Sequence, residues 1–87
     1  MTSQEEILLK KLKGNLLNAL GKRVQELREQ KGFSQVDLAG KMLGKFDTTN
    51  ISRIESGRTN PTIFTLFRIA EALEIPIKAL LDIEKLD

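Results

Sequence analysis

The residues whose types could do chemistry cluster in one short stretch. Thr48, Thr49, Asn50, Ser52 and Arg53 stand within six positions of one another. Amides, short hydroxyls with methyls and guanidinium groups are the side chains that read base edges in a DNA groove, because they donate and accept in fixed patterns or meet the thymine methyl. On their own, Thr48, Thr49 and Ser52 fit a solvated helix face with capping hydroxyls better. Catalytic chemistry is poorly served. The 87 residues include no His, Cys, Tyr or Trp, so the usual general bases and nucleophiles are missing. The six glycines stand singly at 14, 21, 32, 40, 44 and 57 and form no phosphate-cradling loop. No catalytic residue, metal site or cofactor is expected, and the chain is not read as an enzyme.

Composition limits what can hold that stretch in place. A chain of 87 residues with 40% apolar side chains is expected to form one core. Without cysteine, apolar packing must stabilise it, which fits a reducing cytoplasm. No apolar run reaches the roughly 20 residues of a membrane span, and Met1 to Lys13 mixes charges with leucines, unlike a signal peptide. The formal charge is only +2, but it is unevenly spread. Residues 41–60 carry +2, from Lys41, Lys45, Arg53 and Arg58 against Asp47 and Glu55, whereas residues 61–87 carry −2. One region can thus face a polyanion while the tail faces away.

The elements that must position these residues are helices, since apolar spacing of 3.6 recurs and strand-like alternation is not sustained. Leu16, Leu20, Val24 and Leu27 mark a first core helix ending near Lys31, with Gly32 as its left-handed stop. Ser34 and Asp37 form the cap of a second helix over roughly 35–43, with Leu38 and Met42 on one face. Asp47 can cap a third, short helix in which Ile51, Ile54 and Glu55 turn inward before Gly57. Thr62 can cap a fourth, whose Phe64, Leu66, Phe67, Ala70 and Leu73 are expected at the centre of the core. Pro76 suits the first turn of a fifth, with Ile77, Leu80, Leu81 and Ile83 packing back. Two short helices joined by a brief turn inside such a set suggest a helix-turn-helix.

From Leu20 to Leu81 the chain resembles the phage-repressor and Cro-like (XRE-type) helix-turn-helix transcriptional regulators, through LGKRVQELREQKGFSQVDLAGKM, ISRIESGRTNPT and LFRIAEALEIP. The resemblance implies a lambda-repressor-like fold of five helices whose third enters the major groove of double-stranded DNA. Thr48, Thr49, Asn50 and Ser52 match the base-reading positions, and Asn50 suits bidentate pairing with adenine. Arg53 could read guanine or clamp a phosphate. Gln35 matches the position that bonds the DNA backbone and buttresses the third helix, and Arg58, Thr59 and Asn60 match the phosphate-contacting loop. Arg28 and Glu55 match a structural ion pair, expected to be partly buried, and Ala39 is the small residue that lets the second and third helices cross.

Two features depart from the family pattern. Between Gln35 and Glu55 the chain is two residues longer than the common spacing, and the excess falls in LGKFDTT. The register of base contacts at Thr48 to Asn50 can therefore differ by one. The second is residues 1–19, read as a helical extension preceding a DNA-binding domain at 20–87. Ser3 and Glu6 form a capping pattern, and Ile7, Leu8, Leu9, Leu12, Leu16 and Leu17 supply an apolar stripe. Gly14 either separates this extension from the first core helix or lies within one long helix. The stripe folds back on its own domain, helps form a homodimer on a palindromic operator, or binds a protein partner. The resulting expectation is a sequence-specific regulator, most simply a repressor; the rival is an adaptor that neutralises a partner through the leader.

Overall fold

Helices form wherever the apolar residues recur at intervals of three and four. The computed structural model describes residues 3–83. Its elements are α1 (Gln4–Gln30), α2 (Gln35–Lys41), α3 (Thr48–Glu55), α4 (Ile63–Leu73) and α5 (Ile77–Leu80), with no strand among the described residues. The all-α expectation holds. No described helix is long and apolar enough to cross a membrane.

The first helix resolves the question posed by Gly14: α1 runs unbroken through it for 27 residues, or about 40 Å. Ser3 Oγ accepts the Glu6 N–H at 3.1 Å, and Glu5 and Glu6 occupy the first turn, where carboxylates favour the helix dipole. Only the second half of α1 is buried, through Leu20, Val24 and Leu27. Ile7, Leu8, Leu9, Leu12 and Leu16 are between 46% and 60% exposed, so the leader does not fold back on its own domain. The helix overhangs instead, and the molecule measures 44 × 25 × 19 Å.

Around that half-helix, Leu38, Met42, Ile51, Ile54, Leu66, Ile69, Ala70, Leu73 and Leu80 complete the core. Two expectations for α4 fail. Phe64 and Phe67 do not join the core; they are 66% and 46% exposed and stack on one another with ring centroids 6.4 Å apart. The reason is angular: with Leu66, Ile69, Ala70 and Leu73 inward, the 3.6 period turns positions 64 and 67 outward. Leu81 is likewise exposed, while Ile77 and Ile83 are half-buried.

Capping follows the side-chain chemistry with three corrections. Ser34 and Asp37 form a reciprocal capping box, Ser34 Oγ accepting from Asp37 N–H at 3.0 Å and Asp37 Oδ2 from Ser34 N–H at 2.8 Å. Thr62 Oγ1 caps α4 by accepting from Thr65 N–H. Asp47 stands at the N-cap of α3, yet its side chain makes no cap hydrogen bond. Pro76 precedes α5 as its N-cap and is not in its first turn, and α2 ends at Lys41, after which Met42 turns into the core. The hydrogen bond from the Ser34 backbone holds the Asp37 carboxyl below its ordinary value. Because the folded state favours the ionised form, this cap contributes above the ordinary carboxylate range and is lost as the pH falls beneath it.

Gly21 marks the closest approach between α1 and α3. A Cβ there would overlap the carbonyl oxygens of Ile54 and Glu55, whereas one at Gly14 would meet nothing. Helix propensity alone favours alanine over glycine by about 1 kcal/mol. Displacing two backbone carbonyls costs more, about 1–3 kcal/mol. Gly21→Ala is therefore expected to lower the denaturant midpoint, while Gly14→Ala raises helix content by circular dichroism; stabilisation by Gly21→Ala would contradict this packing.

Candidate nucleic-acid interface

An eight-residue helix is too short to be stable in isolation, so α3 depends on what grips it. Its inner side buries Ile51 and Ile54, and Glu55 beside them is also buried. Glu55 is only 8% exposed and Arg28 only 7%. Arg28 Nε donates to Glu55 Oε2 at 2.7 Å and Nη2 donates to Oε1 at 3.0 Å, a bidentate fork. Gln35 Nε2 donates to the same Oε1 at 3.0 Å, and Arg28 Nη1 donates to the Phe33 carbonyl at 2.7 Å. One carboxylate at the end of α3 thus joins α1 and α2, and Arg28 ties in the turn before α2 through the Phe33 carbonyl. Hydrogen bonding to Glu55 raises the Arg28 pKa above the ordinary arginine value, so its charge persists across the working pH range. No buried side-chain polar atom among the described residues is left without a partner. The pair is more completely buried than the partly buried one expected.

The outer side of α3 is what this grip presents. Thr49, Asn50, Ser52 and Arg53 are exposed, and Thr48 is half-buried at the start of the helix. The helix ends on Gly57, whose φ of +75° lets Arg58 N–H reach back to the Arg53 carbonyl at 2.9 Å, a bond pattern that closes helix termini. A Cβ on Gly57 would strike the Asn18 side chain of α1. The loop that follows therefore leaves in a defined direction, with Arg58 and Asn60 exposed and Thr59 half-buried. Among the described residues the guanidinium groups of Arg53 and Arg58 form no ion pair. Gln35 is half-buried beside the end of α3, its amide nitrogen committed to Glu55 and its carbonyl oxygen still able to accept.

Two residues that sequence reasoning passed over also shape this surface. Gly21 lets α1 approach the α3 terminus; a glycine inside a helical pattern is a detectable anomaly. Arg68, on α4, donates from Nη2 to the Leu43 carbonyl at 2.6 Å and lies over the Phe46 ring at 5.1 Å. Both partners belong to the turn between α2 and α3, and nothing local to position 68 announces that contact.

Residues 24–80 match a family profile described as helix-turn-helix. The chain belongs to this XRE-type helix-turn-helix family. It is similar to an uncharacterised HTH-type transcriptional regulator, y4dJ, of Sinorhizobium fredii, with 34% identity over 56 residues, covering 64% of this chain and 70% of that protein. It is also similar to the HTH-type transcriptional regulator DdrOP3 of Deinococcus deserti, with 35% identity over 63 residues and 72% of this chain, which spans about half (47%) of that protein. Among solved structures, the restriction-modification controller protein C.AhdI from Aeromonas hydrophila superimposes with a TM-score of 0.68 at 34% identity, over 74% of this chain and 94% of that one. As a helix-turn-helix protein of the transcriptional-regulator class, the chain binds DNA, and its family is not an enzyme class.

In this helix-turn-helix protein, removing Arg28 leaves Glu55 buried with only Gln35 to serve it. Arg28→Ala is expected to lower unfolding free energy by about 3–5 kcal/mol. The double change Arg28→Met with Glu55→Leu should recover most of that loss, because no charge is then stranded. Denaturant unfolding of the three proteins checks both; a mild single-variant effect would show that the pair does not hold α3.

Proposed function

We propose that this protein is a homodimeric repressor that inserts α3 into the major groove at each half of a palindromic operator. The observation that carries the reading is the division of labour within α3: its inner side is locked by the Arg28–Glu55–Gln35 network, and its outer side is a set of polar side chains with no structural task. Thr48, Thr49, Asn50 and Ser52 are assigned to base edges, with Asn50 paired to adenine, and Arg53 to guanine or a phosphate. Gln35, Arg58, Thr59 and Asn60 are assigned to the DNA backbone, where they fix register without reading sequence. Residues 20–87 form the DNA-binding unit and residues 1–19 its extension. In a dimer on B-DNA the two recognition helices stand about 34 Å apart, one helical turn.

A second reading is favoured by one observation, the overhanging leucines of α1. Five large apolar side chains in the open suit association with another protein, and an adaptor that neutralises a partner through this helix would also use them. The two readings are compatible, since a DNA-bound dimer can carry a further partner.

Selection from a random duplex library, followed by titration at several salt concentrations, tests the primary reading. The expected result is a two-fold symmetric motif and a log–log salt slope of about −0.9 per phosphate neutralised. Asn50→Ala is expected to lose about 1–3 kcal/mol of discrimination at one base pair per half-site, with the slope unchanged. Weak binding without sequence preference would overturn the operator reading and leave the adaptor.

A further inference from the structure

The first turn of α3 is held differently from the other long helices. The N-terminal turns of α1, α2 and α4 are each fixed by a side-chain cap from Ser3, Ser34 and Thr62. That of α3 has none, because the Asp47 side chain makes no cap bond. Its far end is locked through Glu55 to α1 and α2. Something else must set the near end, which carries Thr48, Thr49 and Asn50.

The turn from Met42 to Asp47 enters α3 directly, and both of its ends are held from α4. Arg68 Nη2 donates to the Leu43 carbonyl at 2.6 Å, after the turn has left α2. The same guanidinium lies 5.1 Å over the ring of Phe46, the residue before the α3 cap. Between these anchors Gly44 takes a φ of +76°, and a Cβ there would stand 3.3 Å from Arg68 Nη2, so the guanidinium lies directly on the turn. Glu71, three positions along α4 and on the same side, forms no ion pair with Arg68 among the described residues. The group is committed to the turn. A planar fork can donate at one edge while its face covers a ring; an ammonium is a point charge and cannot do both in one geometry.

We propose that Arg68, which lies on α4 and outside α2, α3 and the turn between them, is the positioning residue that clamps Leu43 and Phe46, sets the pose of the first turn of α3, and thereby determines which base pairs Thr48, Thr49 and Asn50 read. This rests on the reading of α3 as the base-reading helix. The clamp accommodates the lengthened turn of this chain: extra residues ahead of a recognition helix would otherwise leave its entry angle free. Its action is local, so Arg53 and the loop at Arg58 keep their positions when it is removed.

The test compares wild type, Arg68→Lys and Phe46→Leu, the second variant keeping an apolar side chain while removing the aromatic face. Two readouts are taken. In the free protein, amide hydrogen exchange of Asn50 and Ile51, whose N–H groups bond the Asp47 carbonyl at 3.0 and 3.3 Å, is expected to accelerate about five- to tenfold, the weight of one lost hydrogen bond. Exchange at Ser56 and Gly57 should not change. In duplex selection, both variants are expected to shift or flatten preference at the base pairs that Asn50→Ala relaxes, with wild-type preference elsewhere and an unchanged salt slope. Unchanged exchange and an unchanged motif would overturn the proposal. So would a uniform loss of affinity with a shallower salt slope, which would make Arg68 a phosphate contact. If wild type showed no sequence preference, the base-reading assignment of α3 would fail, while exchange would still decide whether the clamp exists.

Discussion

The carboxylate of Glu55 is the point on which the rest of this structure turns. A two-turn helix cannot hold itself in water, and the surface it must present is polar, so its orientation has to be imposed from behind. The buried fork with Arg28 and the amide of Gln35 does this from two other helices at once. Such a network adds little net stability relative to apolar side chains of the same volume. What it supplies is direction, because hydrogen bonds fix angles where leucine and isoleucine contacts tolerate sliding. Close packing at Gly21 and Gly57 completes the arrangement by bringing α1 against the α3 terminus.

The same logic explains how the molecule divides its polar groups. Those of Arg28 and Glu55 are buried and fully partnered, and they do structural work. Those of Thr49, Asn50, Ser52, Arg53 and Arg58 are exposed, and among the described residues the two guanidinium groups form no ion pair. The entry to α3, lacking a side-chain cap, is governed instead by a cation lying on an aromatic ring and a carbonyl. A helix gripped at both ends by different neighbours can keep its far-end contacts while its first turn is adjusted separately.

The overhang of α1 is the feature the helix-turn-helix core does not require. The face that buries Leu20, Val24 and Leu27 continues outward through Leu16, Leu12 and Leu9, at spacings of three and four, past the point where burial stops. A helix segment of this length without tertiary contacts is marginal, and its exposed leucines gain stability from any apolar surface that covers them. That gives the extension a physical reason to associate, whether with a second copy or with another protein.

Much of this was legible in the chain alone. Periodicity and capping residues located the helices, because those signals are local and act within three or four positions. The glycines at 32 and 57 marked helix ends for the same reason, and the polar residue types at Thr49, Asn50, Ser52 and Arg53 foretold the exposed side of α3. The pairing of Arg28 with Glu55 came from family resemblance and not from the residues themselves, which lie 27 positions apart. What the tertiary structure alone decided was contact across distance and angle. It turned Phe64 and Phe67 outward, joined the leader to the first core helix, left the Asp47 side chain without a cap bond, made Gly21 a point of helix contact, and brought Arg68 onto the turn before α3. Each depends on how helices lie against one another, and a side chain carries no record of a partner that folding places beside it from elsewhere in the chain.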